Sequence, residues 1–444
     1  MIVLYILLGV IGLLAILLLI ALLNTFMVKE RDFGNKKELD YDLSEAYGLK
    51  FQEMIKIKTI SYDETLDNFE PFVALKMKMK ELFPNVFKVM ELKEFKGESL
   101  ILKWKGKKDD KPLVLMSHID VVPAVDSSWD YEPFKGEIVN GEIYGRGTLD
   151  TKSTVFAFYQ ACEELIINGY VPENDVYLAS STDEETSGFG ASLTVEWLKE
   201  NNVKPFLVVD EGGTVLSNSL PSLKRPMAVV GILEKGYVDI KLTAKSFGGH
   251  SSTPPKNTPI ARLSKFVCDV EKHYPFKTKM IKEVETLFKT AAPSMKGIFK
   301  YLFTNMWLFK GLLTFALPKI SPFGRALLST TIAFTMMKGS DAENVIPAEA
   351  YMIANLRTHP IQNVDESFAV IKKLAKKYSI EAEIVSKRDT STMVDINGEG
   401  YKYLEGIIKS CFPDALVSPY VMLGGTDCRF YSEVTDANLR FSPV

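Results

Sequence analysis

The sequence predicts an α/β protein. An open mixed sheet covered by helices forms the catalytic-sized body, a smaller ferredoxin-like α+β unit is inserted into it, and a single transmembrane helix precedes both. Three observations carry this reading. Between residues 46 and 226, short apolar runs alternate with helical stretches, the pattern of strands joined by crossover helices. From about residue 227 the runs become half-polar and follow the order β-α-β-β-α-β. The first 28 residues contain no charged side chain.

That opening stretch, MIVLYILLGVIGLLAILLLIALLNTFMV, exceeds the roughly 20 apolar residues that cross a bilayer core. It lacks the basic start and the small-residue cleavage site of a signal peptide, so residues 1–28 are expected to be an uncleaved, single-pass anchor. Lys29, Arg31, Lys36 and Lys37 follow it and favour a cytoplasmic domain, yet large domains are also translocated despite local charge. The side of the membrane stays open. Residues 29–45 read as a polar linker.

The first part of the large domain, 46–226, opens with the helical pattern LSEAYGLKFQEMIKI. SLILKWKG and PLVLMSHID read as strands, TVFAFYQACEELIIN as a helix, DVYLASST as a strand, ASLTVEWLKEN as a helix and PFLVVDEGG as a strand. In such sheets ligands bind beyond the carboxyl ends of the strands. The insert spans 227–388, with strand KGYVDIKLTAKSF, helix PIARLSKFVCDVEKHY, strands ALLSTTIAFTMMK and AEAYMIANLRT, helix DESFAVIKKLAKKY and strand IEAEIVSK. An apolar segment at about 280–328 interrupts it. This segment is either a buried helix pair or a surface that accepts lipid or an acyl chain. GYKYLEGIIKSCF returns the chain to the large domain, whose second part is 389–444.

Composition narrows the function. With 444 residues, 46% hydrophobic and 25% charged, the chain has room for two or three globular domains. A net charge of -3 gives no reason to expect a nucleic-acid partner. The four cysteines are far apart and form no CxxC, so neither a zinc ribbon nor a disulfide framework is indicated. One span also speaks against a transporter.

The polar residues at the strand ends carry the chemistry. SHID places His118 and Asp120 on one side of an extended segment. GRGTLDTKS places Asp150 after a glycine-hinged turn, TDEET offers Glu184 and Glu185, and VVDEGG offers Asp210 and Glu211. Singly, each has an ordinary explanation: a hydrogen-bonded histidine, a turn aspartate, a helix cap. Together they form a nitrogen-plus-oxygen donor set suited to zinc, on one edge of one sheet. Divalent cations would neutralise the stacked carboxylates.

MSHIDVVPA, GRGTLDTKS, TDEETSGFG, VVDEGG, FGGHSSTPP and NVIPAEAYMIANLRTHP, in this order, resemble the di-zinc metallopeptidase family of aminoacylase and carboxypeptidase S. The likeness covers about residues 45–444 and is nearest to the branch of carboxypeptidase S and the N-fatty-acyl-amino-acid synthase/hydrolase. The resemblance implies two zinc ions per subunit. His118 and Asp210 would bind one, Glu185 the other, and Asp150 would bridge them, with Asp120 orienting His118 and Glu184 acting as general base. Zinc would activate a water for attack on the amide of a short peptide or an N-acyl amino acid, releasing an amino acid. His250 would reach the partner's site in a homodimer built through the insert, which would serve as lid and dimerisation domain. Arg357 and Asn344 would hold substrate, and Gly425 and Thr426 would lie in a loop beside it.

The pattern departs from the family at one point. The family's last zinc-binding histidine would lie beyond FSPV, and none of His118, His250, His273 and His359 stands there. The second zinc site therefore lacks its imidazole. Two explanations are expected: a sequence shortened at its end whose intact form is active, or a natural loss of that ligand. The competing function is a non-catalytic, membrane-tethered binding protein on a degenerate peptidase scaffold.

Overall fold

The computed structural model describes residues 1–35, 43–62 and 69–443. Residues 36–42 of the expected linker, with Lys36 and Lys37, lie outside the described residues.

A nine-stranded mixed sheet organises the large domain. Its order is Glu91–Glu94, Leu100–Trp104, Asn174–Ser180, Lys108–Met116, Leu207–Asp210, Asn438–Arg440, Met227–Glu234 and Leu416–Met422, with Val215–Leu216 paired to Met227–Glu234. The neighbouring strands Asn174–Ser180, Lys108–Met116, Leu207–Asp210 and Asn438–Arg440 all run parallel. Parallel strands are covered on both faces and so read as continuous apolar runs. Leu100 and Leu102 pack under the helices Ser44–Ile55, Glu70–Leu82 and Lys152–Ile167, whereas Ile101 faces the helix Gly190–Glu200 on the other side. Successive side chains thus enter two separate cores. Asn438–Arg440 alone joins the two halves of the sheet, parallel to Leu207–Asp210 and antiparallel to Met227–Glu234.

A second, four-stranded antiparallel sheet comprises Gly236–Lys245, Thr331–Lys338, Glu349–Thr358 and Ile380–Arg388. In sequence order its strands lie 2-3-1-4, and the helices Pro259–Lys272 and Val364–Lys376 pack on one face. This is the ferredoxin-like order that the alternating pattern predicted.

The insert's expected boundaries change. Met227–Glu234, expected at the start of the insert, is a strand of the large sheet with all eight residues buried. The unbroken apolar run MAVVGILE suits a strand covered on both faces, whereas GYVDIKLTAK alternates as a one-sided strand does. The apolar segment also packs elsewhere than its place in the chain suggests. Val284, Leu287, Phe288, Phe303, Met306 and Leu313 join the core of the large sheet around Val229, Leu416 and Val421. Neither expectation for this segment holds alone, because its inner side is buried while Trp307, Leu312, Phe315 and Ile320 are exposed.

The helix Ile2–Met27 is exposed along nearly all its length, with Ala21 its buried residue. The chain beyond it is no free linker. Arg31 Nη2 donates to the Ala415 carbonyl at 2.9 Å, Phe33 packs against the core, and Gly34 lies tight against Pro413.

Candidate metal centre

The candidate residues gather beyond the carboxyl ends of three adjacent strands. Lys108–Met116 delivers His118 and Asp120, Asn174–Ser180 delivers Asp183, Glu184 and Glu185, and Leu207–Asp210 delivers Asp210 and Glu211. Asp150 stands two residues before the helix Lys152–Ile167. One possible ligand atom each from His118, Asp150 and Glu185 lie within 4.8 Å of one another, and so do those of His118, Glu184 and Glu211. His118 is shared by both groups and is buried.

Asp120 binds this centre together. Its Oδ2 accepts from Ser61 Oγ at 2.7 Å and from the Glu185 amide at 3.1 Å. Its Oδ1 accepts from the Glu184 amide at 3.3 Å and lies 3.2 Å from His118 Nδ1, which it shares with the Asp120 backbone carbonyl at 3.0 Å. With Nδ1 facing Asp120, Nε2 of His118 faces Asp150 Oδ1 at 2.9 Å and Glu211 Oε1 at 3.5 Å. A metal-bound imidazole needs this kind of support on its far nitrogen.

The three consecutive acids have different duties. Asp183 turns away from the cluster and accepts from the amides of Phe189 (2.7 Å) and Gly190 (3.0 Å), fixing the start of the next helix. A Cβ on Gly188 would fall 1.9 Å from Asp183 Oδ2, so glycine there makes room for the carboxylate. Glu184 and Glu185 are left to the cluster.

Charge is badly unbalanced at this point. Burial, reinforced by Asp427, Glu211 and Asp120, pushes the Glu184 carboxyl up to about 9, while His118 opposes the shift. Burial and Asp150 push Glu185 up to about 7. Burial works against a charged His118, but its contacts with Asp120, Asp150 and Glu211 outweigh it and hold the imidazole well above its usual value. Among the described residues, no Lys or Arg forms an ion pair with Glu184, Glu185 or Glu211. Nitrogen and oxygen donors around uncompensated, partly buried negative charge fit a divalent cation.

Asp210, expected as a ligand, is used differently. It is buried, its Oδ1 accepts from the Glu211 amide and its Oδ2 from the Cys428 amide, both at 2.8 Å. Glu211, next to it, is the residue that reaches His118. Both acids were visible in VVDEGG; which one turns toward the cluster depends on the bend after the strand. His250 is not at this centre. It is exposed on a short ribbon with Gly249, its Nδ1 2.8 Å from Ser252 Oγ. Asn344 shares that ribbon, its carbonyl accepting from the Ser251 amide at 2.9 Å. His359 is buried elsewhere and His273 is exposed at a helix end. Among the described residues, His118 is therefore the one imidazole of the cluster.

Arg357 stacks over the Tyr237 ring at 4.9 Å, and Tyr237 sits between Arg357 and Arg388 in register across three strands. Arg388 escaped the sequence reading because its strand was ended at Lys387. Burial and the charges of Arg429 and Arg357 hold its guanidinium below its usual value, opposed by Glu234 and Glu184. A Cβ on Gly425 would come within 1.9 Å of Arg388 Nη2, so that loop approaches the guanidinium closely. Thr426, expected beside substrate, is buried and donates to Glu234 Oε1 at 2.8 Å. Its role is to tie the loop to the buried Glu234–Arg440 pair, in which Arg440 Nε donates at 2.9 Å.

Residues 114–443 match the family described as Peptidase family M20/M25/M40. An N-fatty-acyl-amino acid synthase/hydrolase of Xenopus tropicalis is 32% identical over 442 residues, covering 97% of this chain and 86% of the relative. A carboxypeptidase S-like protein of Dictyostelium discoideum is 32% identical over 396 residues, covering 87% of this chain and 76% of the relative. Among solved structures, an M20 family metallo-carboxypeptidase of Sulfolobus solfataricus shares the fold with a TM-score of 0.63 at 21% identity, over 89% of this chain and 90% of that one. Human carnosine dipeptidase 1 does so with a TM-score of 0.61 at 14% identity, over 90% and 89%.

Proposed function

The chain belongs to peptidase family M20/M25/M40 and is an amide hydrolase of the metallopeptidase type; from that premise we propose a zinc-dependent release of an amino acid from an N-acyl amino acid or a short peptide. The convergence of His118, Asp150, Glu184, Glu185 and Glu211 carries this reading. His118, Asp150, Glu185 and Glu211 would hold the metal. Zinc, when bound, supplies an acidified water and polarises the amide carbonyl. Glu184 is left to take the water's proton on its carboxylate and return it to the departing nitrogen. The oxygen joins the carbonyl carbon as the C–N bond breaks.

Arg388 and Arg357 supply a fork for the free carboxylate of the amino acid. The acyl reading draws on a cavity of about 150 Å³ whose lining includes Gly212, the residue after Glu211. Leu220, Met227, Val229, Leu287 and Phe323 line it, and apolar walls suit a hydrocarbon chain. We read Ile2–Met27 as the membrane anchor, supported by its 26-residue length and an 18-residue stretch within it of mean hydropathy 3.3. A homodimer would use the exposed His250 and Asn344 ribbon, the four-stranded unit serving as lid. Replacement of Glu184 by Gln tests the assignment: hydrolysis should vanish while fold and zinc content persist, and retained turnover would refute it.

The single imidazole favours one other reading, a non-catalytic binding protein on this scaffold. Elemental analysis separates the two, since a protein that binds no zinc cannot follow the proposed route.

A further inference from the structure

We propose that the outward face of the helix Met306–Ile320 is a second membrane contact, seated in the bilayer interface beside the N-terminal helix. The proposal rests on reading Ile2–Met27 as a membrane span. Its occupant is a phospholipid bilayer.

Placement comes first. Asn305 is fully buried where the insert meets the N-terminal helix. Its Nδ2 lies 2.9 Å from both the Ala21 carbonyl and Thr25 Oγ1, and its Oδ1 accepts from Asn24 Nδ2 at 2.9 Å. Tyr301 donates its hydroxyl to the Leu18 carbonyl at 3.0 Å. The insert is thus fastened to residues 18–25 and not to the middle of the helix. Twenty-six residues make a helix of about 39 Å, whereas the hydrocarbon core is about 30 Å thick. The last turns of Ile2–Met27, on the side of the folded domain, therefore emerge at the level of the headgroups. Asn305, through Asn24 and Thr25, and Trp307 beside it share that depth, with Tyr301 slightly deeper at Leu18, and tyrosine and tryptophan collect near this level in membrane proteins.

The exposed chemistry agrees. Trp307, Leu312 and Phe315 are 55%, 56% and 63% exposed and share the outward side of the helix, and Ile320, 75% exposed, ends it. Met306 and Leu313 on the opposite side are in the core, so the helix cannot rotate to hide the outward residues. Lys319 lies over the Phe315 ring and places an ammonium group at the rim of the apolar strip. That arrangement suits lipid phosphates around a shallowly buried apolar strip. A soluble chain would have little reason to keep three large apolar residues together on one exposed face.

Full-length protein reconstituted in phosphatidylcholine vesicles carrying dibrominated acyl chains tests this. Brominated lipid should quench the tryptophan emission of the wild type, and Trp307→Phe should remove most of that quenching. Adding Phe315→Trp to the Trp307→Phe chain should restore it. Equal quenching in wild type and Trp307→Phe, or none in a chain that resists alkaline carbonate extraction, overturns the second contact alone. Release by carbonate, or an intact mass lacking the N-terminal helix, defeats the spanning reading and this proposal with it.

Discussion

Replacing Asp120 by Asn removes one charge and exchanges one acceptor for two donors, with almost no change in shape. In the structure both carboxylate oxygens face donors: Ser61 and the Glu185 amide on one side, the Glu184 amide and His118 Nδ1 on the other. Whichever way the new amide turns, one backbone N–H of the Glu184–Glu185 turn loses its acceptor. A buried donor left without a partner costs about 1–3 kcal/mol, so the metal-free variant should be destabilised by that order. Loss of support for His118 should also weaken zinc binding by roughly 10–100-fold, or about 1.4–2.7 kcal/mol. Chemical unfolding of metal-free protein measures the first quantity, and competition with a chromophoric zinc chelator measures the second. Asp183→Asn is the control: it should lower stability through the Phe189 and Gly190 amides and leave zinc affinity alone. Wild-type zinc affinity in Asp120→Asn would refute the positioning argument, whatever happens to stability.

Four further outcomes follow from the structure. Glu184→Gln should lower turnover by at least about 10²–10⁴-fold with zinc content and unfolding midpoint unchanged. Arg388→Ala should raise KM for substrates with a free carboxylate far more than for their amides; equal effects on both would remove it from carboxylate recognition. Leu220→Trp, which fills the cavity beside Gly212, should raise KM for long-chain acyl substrates and spare short ones, as a chain-length series would show. Burial and the nearby Lys235 charge hold His359 down at about 4. Between its unfolded value of about 6.5 and that value, the unfolded chain takes up a proton that the folded chain refuses. Stability should therefore fall as pH drops through this window, by up to about 1.4 kcal/mol per pH unit from this group, and His359→Gln should flatten the dependence in an acid unfolding series.

Strand ends were legible where composition and geometry agree. LVLM and LVVD are apolar runs that stop at polar residues, and in a parallel sheet that stop is where a site forms. His118, Glu184 and Glu185, which the structure brings together, stand just after such runs, whereas Asp150 follows a glycine-hinged turn ahead of a helix. Glu211 was named but passed over for Asp210, because the choice between neighbours depends on whether the first acid is consumed by local amides. Arg388 was missed because its significance arises from register with Tyr237 and closeness to Gly425, both set by contacts between distant segments. The packing of the apolar helices against the large sheet was hidden for the same reason. Their composition said only that they needed cover, and cover came from strands on either side in sequence, Met227–Glu234 and Leu416–Met422. Asn438–Arg440 is too short to show a period at all.

That three-residue strand also sets the order of assembly. It follows every other strand of its sheet in sequence, yet it is the seam between them. During synthesis, Leu207–Asp210 and Met227–Glu234 leave the ribosome with no strand between them, and the local pairing of Val215–Leu216 covers only the Met227–Ala228 end of the facing edge. Both edges must wait for more than two hundred intervening residues to emerge, unless something else shields them. A nascent chain of this kind has a long interval in which its two half-sheets can pair with neighbours, so its yield should depend on chaperone supply more than on the final stability of the folded protein.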